Sequence, residues 1–185
     1  MAATELPIEH FVDAAAWERW LEQHPGSTGV WLKIAKKDAG IPSVTYAEAL
    51  DVALCHGWID GQKKGLDAQF FLQRFTPRRS RSTWSKINVA KIEALTAAGR
   101  MRPAGLREVD AAKADGRWEA AYDGSSSMAV PPELEKALAL TKNRKARAFF
   151  DSLDRTNRYA VCWRVQTAVK PETKRARVEK LVEML

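Results

Sequence analysis

The sequence predicts an α+β fold: a small antiparallel sheet packed by helices, followed by a helical C-terminal segment. Three observations carry this. Aromatic and β-branched runs of strand length cluster in the first half and stop near residue 75, apolar residues recur at helical spacing through the second half, and a short Gly-Ser run separates the two. With 45% hydrophobic and 29% charged residues, among them 7 Trp, 6 Phe and 3 Tyr, the 185-residue chain has apolar volume for a core and is not a disordered segment.

Each element has its own signal. Ile8, His10 and Phe11 mark a short opening strand, and Asp13 stands where a helix N-cap belongs, ahead of Ala16, Trp17, Trp20 and Leu21 on one face. His24-Pro25-Gly26 ends that helix. The run from Gly29 to Lys37 alternates imperfectly and reads as a strand with a solvated end, closed by Gly40-Ile41-Pro42. Thr45 with Glu48 at the third helical position forms a capping-box pattern for a helix whose Ala49, Leu50, Ala53 and Leu54 face inward, with Gly57 as its stop. Trp58 to Gln62 and Gln69 to Phe75 read as two strands joined by the loop from Lys63 to Ala68. Beyond Thr76-Pro77, a polar loop leads into a helix from about Trp84 to Ala98 with Ile87, Ile92 and Leu95 as its stripe. Pro103-Ala104-Gly105 is expected to break the chain before a helix from Leu106 to Ala114.

Asp123-Gly124-Ser125-Ser126-Ser127, followed by Val130-Pro131-Pro132, is the linker signal, so the domains are expected at 1–128 and 129–185. Glu133 to Leu140, Arg144 to Ser152, Asn157 to Val169 and Glu172 to Leu185 carry helical spacing, with Pro171 in the first turn of the last helix.

The net charge of +7 points to an anionic partner. One basic focus is Arg74, Arg78, Arg79, Arg81 and Lys86; the other lies among the helices after residue 141. Cys55 and Cys162 form no CxxC pair, and His10, His24 and His56 show no ligand spacing, so neither a metal nor a cofactor is expected. The opening MAATELPIEHF lacks the basic and apolar regions of a leader, and no run of about eighteen apolar residues occurs. The expectation is therefore a cytoplasmic chain without a membrane span.

Three constellations could carry chemistry. The stretch from Thr76 to Asn88 sets Arg78, Arg79, Ser82, Trp84 and Ser85 just ahead of a helix N-terminus, where guanidinium forks and free N–H groups suit phosphate or carboxylate oxygens. Behind it, Asp60 is expected to orient Arg74 or Arg79. The alternative is that Ser82 or Thr83 only caps the helix while the arginines are solvated or pair with Asp60, Asp67 or another acid. Cys55-His56 reads as a nucleophile and base, but adjacent helical residues diverge by about 100 degrees, which favours Cys55 as a core residue.

Four phrases taken together resemble the YdeI/OmpD-associated family, also labelled bacteriocin-protection proteins. They are Tyr46-Ala47-Glu48-Ala49-Leu50-Asp51, Leu54-Cys55-His56-Gly57-Trp58-Ile59-Asp60-Gly61, Arg74-Phe75-Thr76-Pro77-Arg78-Arg79 and Ser82-Thr83-Trp84-Ser85-Lys86-Ile87-Asn88. The resemblance continues through Gly99-Arg100-Met101 and Thr173-Lys174-Arg175-Ala176-Arg177, and so spans nearly the whole chain. It implies a bacterial protein with a role in stress resistance or bacteriocin protection and supplies no mechanism.

The readings that follow are three. The first is a non-catalytic protein that recognises an anionic small molecule or a protein partner through Asp60, Arg74, Thr76, Arg78, Arg79, Ser82, Trp84, Ser85 and Asn88. The second is an enzyme in the same pocket, with Arg78 or Arg79 clamping an anion while Asp60 or His56 moves a proton. The third is a basic nucleic-acid binder.

Overall fold

The computed structural model describes residues 5–185; the four opening residues, part of the stretch read as lacking a leader, lie outside them. The chain divides into two compact units. The first comprises the described residues up to Ser82 together with Ala90–Ala114, and the second comprises Thr83–Val89 with Asp115–Leu185. The break expected near residue 128 falls inside the second unit. Local polarity marks Asp123 to Ser127, but the units are set by which distant segments return: Ser85 forms a parallel bridge with Tyr122, and Trp84 packs on Trp118 at 5.0 Å.

The first unit holds a four-stranded sheet in the order β1-β2-β4-β3, built from β1 (Ile8–Glu9), β2 (Val30–Ala35), β3 (Trp58–Gly65) and β4 (Phe70–Pro77). The sheet is mixed rather than wholly antiparallel. β1 runs parallel to β2 because helix α1 (Ala14–Gln23) intervenes and returns the chain in the same direction, while β2–β4 and β3–β4 are antiparallel. β3 continues to Gly65, and Asp67 Oδ1 accepts the Gln69 and Phe70 backbone N–H groups at 2.8 Å each to close the turn into β4.

Asp13 caps α1 by accepting the Ala16 N–H at 2.7 Å. Helix α2 (Tyr46–Cys55) opens on the full capping box of Thr45 and Glu48. Strand alternation sends Val30, Leu32 and Ile34 inward and leaves Trp31, Lys33 and Ala35 on the opposite face. The core of this unit gathers on Trp17, which is fully buried, lies 5.8 Å from Phe75 and 6.1 Å from Trp58, and donates its Nε1–H to the Ala49 carbonyl at 3.1 Å.

Helix α3 (Lys86–Ala97) buries Ile92 and Leu95 but leaves Ile87 exposed. Helix α4 (Pro103–Ala114) starts three residues before the predicted Leu106. Pro103 is no breaker here: at the first helical position its missing N–H costs nothing and its fixed φ suits the turn. Gly105 is the contact point with α2, since a Cβ on it would stand 2.2 Å from the Cys55 carbonyl oxygen.

In the second unit, α5 (Pro132–Leu138), α6 (Arg144–Ser152), α7 (Arg155–Gln166) and α8 (Pro171–Met184) enclose Leu134, Leu138, Phe150, Cys162, Val165 and Leu181. Among the described residues, no helix is long and apolar enough to cross a membrane.

Candidate functional site

The Thr76 to Asn88 stretch does not form one concave loop. Thr76 lies at the end of β4, half-buried, while Arg79 and Ser82 close a turn in which Ser82 Oγ accepts the Arg79 N–H at 3.1 Å. Ser85, not Ser82 or Thr83, caps α3, its Oγ accepting the Asn88 N–H at 3.2 Å. Asp60, Arg74, Thr76, Arg78, Arg79 and Ser82 belong to the first unit, and Trp84, Ser85 and Asn88 to the second. Trp84 is 2% exposed and serves as core.

Asp60 does not orient an arginine. Its Oδ2 accepts the Tyr46 hydroxyl at 2.8 Å, and burial together with that carboxylate pushes the Tyr46 phenol well above its ordinary value. Asp60 pairs in register with Phe75, which packs on Trp17 of α1, whereas Arg74 pairs with Trp31 on the other face.

Arg78 takes a different course from its neighbours. Its backbone N–H donates to the Gly57 carbonyl at 2.9 Å, and its side chain, 7% exposed, enters the wall of a cleft of about 520 Å³. The cleft is built on the end of α2. Gly57, at φ 75°, turns the chain in the left-handed region that favours glycine and leaves His56 facing α1. Next, the Arg102 backbone N–H donates to the Cys55 carbonyl at 3.1 Å, fixing the start of α4 against the same turn. Trp58, His56, Arg78, Arg102 and Arg107 thereby converge on one hollow, with Glu22 and Glu108 at its edge.

Charges are partly matched within it. Arg102 donates from Nη2 and Nε to Glu18 Oε1 at 2.8 and 3.2 Å, and His56 Nε2 stands 3.5 Å from the same oxygen. Burial pushes the Glu18 carboxyl up, but the hydrogen bonds and charges of Arg102 and His56 outweigh it and hold the group below its ordinary value. Glu18, Glu22 and His56 bring possible ligand atoms within 4.8 Å of one another. A divalent ion there would compete with the Arg102 guanidinium already seated on Glu18. Cys55 lies behind His56, 1% exposed, and burial pushes its thiol up, the opposite of what a nucleophile needs.

A larger hollow of about 700 Å³ lies in the second unit between α5 and α8, where Lys174 pairs with Glu133 at 3.2 Å. Its charged groups stand around an apolar strip, without the buried guanidinium and oriented imidazole of the first cleft, so it is the weaker candidate.

Glu18, Arg102 and Arg107 escaped the sequence reading because they come from α1 and the start of α4, 84 residues apart in the Glu18–Arg102 pair, with no local motif to join them. His56 and Arg78 were the signals available. Residues 9–108, which hold every lining residue of the cleft, match the model of a family described as a domain of unknown function, DUF8412. Residues 127–185 match the model described as bacteriocin-protection, YdeI or OmpD-associated. The four phrases that carried the resemblance fall within the first match, and the Thr173 to Arg177 phrase within the second, so the match to the resembled family covers the tail rather than nearly the whole chain. No curated protein and no solved structure matches the chain.

Proposed function

Because the chain belongs to the bacteriocin-protection, YdeI or OmpD-associated family through residues 127–185 and to the DUF8412 family through residues 9–108, we propose that it is a cytoplasmic stress-resistance protein that binds a small organic anion in the cleft of its first unit. One observation supports this above the others: Arg78, Arg102 and Arg107 converge with His56 over the edge of the largely buried Trp58. Arg102 is engaged by Glu18, and Arg107 at the mouth is the group that meets a carboxylate or phosphate, Arg78 adding positive charge to the wall while the indole receives an apolar portion. The Thr76 to Asn88 stretch takes part through Arg78. Arg79, exposed on the turn, lies outside the lining.

The test is a calorimetric titration of the intact protein with inorganic phosphate, citrate and AMP, repeated on Arg107→Ala and Arg79→Ala. Loss of a charge-assisted contact is expected to weaken binding on the order of tenfold or more in Arg107→Ala, with Arg79→Ala unchanged. Absence of binding, or sensitivity to Arg79→Ala alone, would overturn the reading. A second reading, favoured by the 3.5 Å approach of Glu18 to His56, is that His56 moves a proton on the bound anion. Consumption of the bound compound, abolished in His56→Ala with binding retained, would distinguish it.

A further inference from the structure

We propose that the face of the sheet turned away from α1 and α2 binds single-stranded nucleic acid, Trp31 stacking on a base while Lys33, Lys64 and Arg74 take the phosphates. The register places these groups together. Trp31 pairs with Arg74, Lys33 with Leu72, and Leu72 in turn with Lys64, so side chains from three strands share one side of the sheet. The contacts agree with that placement: Lys64 Nζ stands 4.3 Å from the Trp31 ring centroid and Lys33 Nζ 4.1 Å from that of Phe70. The lysine stems lie along the sheet, which keeps Leu72 at 1% exposure on a face without a covering helix from α1 or α2. No carboxylate stands among the strand residues that pair with this set.

Arg74 adds a third cation to this face: its Nε is buried without a hydrogen-bond partner, while the residue as a whole stays half-exposed. One cation laid over a half-buried indole and others beside it, with Asp67 at the turn into β4 the acid that acts on Lys33, suit a strand whose bases are unstacked: the ammonium groups shift to phosphates and the ring takes a base. A duplex offers its phosphates but no free base face, and an acidic peptide offers charge without a planar partner for Trp31. The site is separate from the His56 cleft and does not depend on it.

The experiment is fluorescence anisotropy of fluorescein-labelled fifteen-residue oligo-dT and oligo-rU with the full chain from 50 to 300 mM NaCl. Three phosphate contacts give an expected slope of log K against log salt near about −2. Trp31→Ala is expected to weaken binding on the order of tenfold and Trp31→Phe much less. In Lys33→Gln/Lys64→Gln the slope falls in magnitude by about 1.4, whereas the charge-matched Lys145→Gln/Lys180→Gln, on the helices of the second unit, changes little. Circular dichroism confirms that each variant is folded, and the lysine pair carries the test if Trp31→Ala is not. Four outcomes overturn the proposal: no binding at 50 mM NaCl, an equal loss in Lys145→Gln/Lys180→Gln, equal affinity for a hairpin duplex, or displacement of the oligonucleotide by poly-glutamate at equal charge.

Discussion

Glu18 shows how much of this protein's chemistry rests on single contacts. Its carboxyl is held below the ordinary value of 4.5 once the hydrogen bonds from Arg102 and His56 outweigh burial. A carboxylate depressed in the folded state adds stability that is complete above its unfolded pKa and is lost as pH falls through the folded value. Arg102→Ala is therefore expected to lower the urea midpoint at pH 7 and to matter less at an acid pH below the depressed folded value, where Glu18 is protonated with or without its partner. An equal loss at both pH values would show that Arg102 acts by packing alone. Gly105 makes a sharper case. The α4 backbone passes so close to Cys55 that Gly105→Ala would set a methyl 2.2 Å from a carbonyl oxygen, and the helix would have to move, at a cost of about 3 kcal/mol in chemical denaturation. The same displacement would open the His56 cleft, so anion binding is expected to fall with it.

At the scale of elements, α2 carries the site. Its start is secured by the reciprocal bonds of Thr45 and Glu48, in which Glu48 Oε2 accepts the Thr45 N–H at 2.9 Å and the Glu48 N–H reaches Thr45 Oγ1 at 3.3 Å. Thr45→Ala is expected to cost about 1 kcal/mol, read from urea unfolding, with part of the deficit lost in acid: the Thr45 backbone N–H, which the variant keeps, does most to hold the Glu48 carboxyl low, and the hydroxyl adds to it. The end of α2 receives β4 through Arg78 and α4 through Arg102, both by backbone hydrogen bonds to the turn at Cys55–Gly57. The capping box and the glycine stop were legible in the sequence, because caps and left-handed turns are local chemistry. Pro103 was misread as a break because Pro looks the same at the first position of a helix as it does in a loop. The parallel pairing of β1 with β2 was likewise hidden: two strands of apolar residues do not announce their relative direction.

For the whole molecule, the second unit has its own apolar centre, in which Leu134 is fully buried. Leu134→Ala removes side-chain volume from that centre and is expected to destabilise it by about 3 kcal/mol. Hydrogen exchange checks where the effect falls: amides of α5 to α8 should lose protection, while those of β2 and β4 keep theirs. Uniform loss across both units would mean that they unfold as one. The amino-acid sequence by itself determined the α+β class, the helical C-terminal segment, the caps at Asp13 and Thr45 and most strand positions, because periodicity, capping and turn chemistry act over a few residues. Tertiary structure decided the rest. It sent Asp60 to Tyr46 instead of to an arginine, divided the Thr76 to Asn88 stretch between two units, and drew Glu18, His56, Arg78 and Arg102 together. Those outcomes depend on which distant backbones pack against one another, and a contact between residues 84 apart, as Glu18 and Arg102 are, leaves no trace in local sequence pattern.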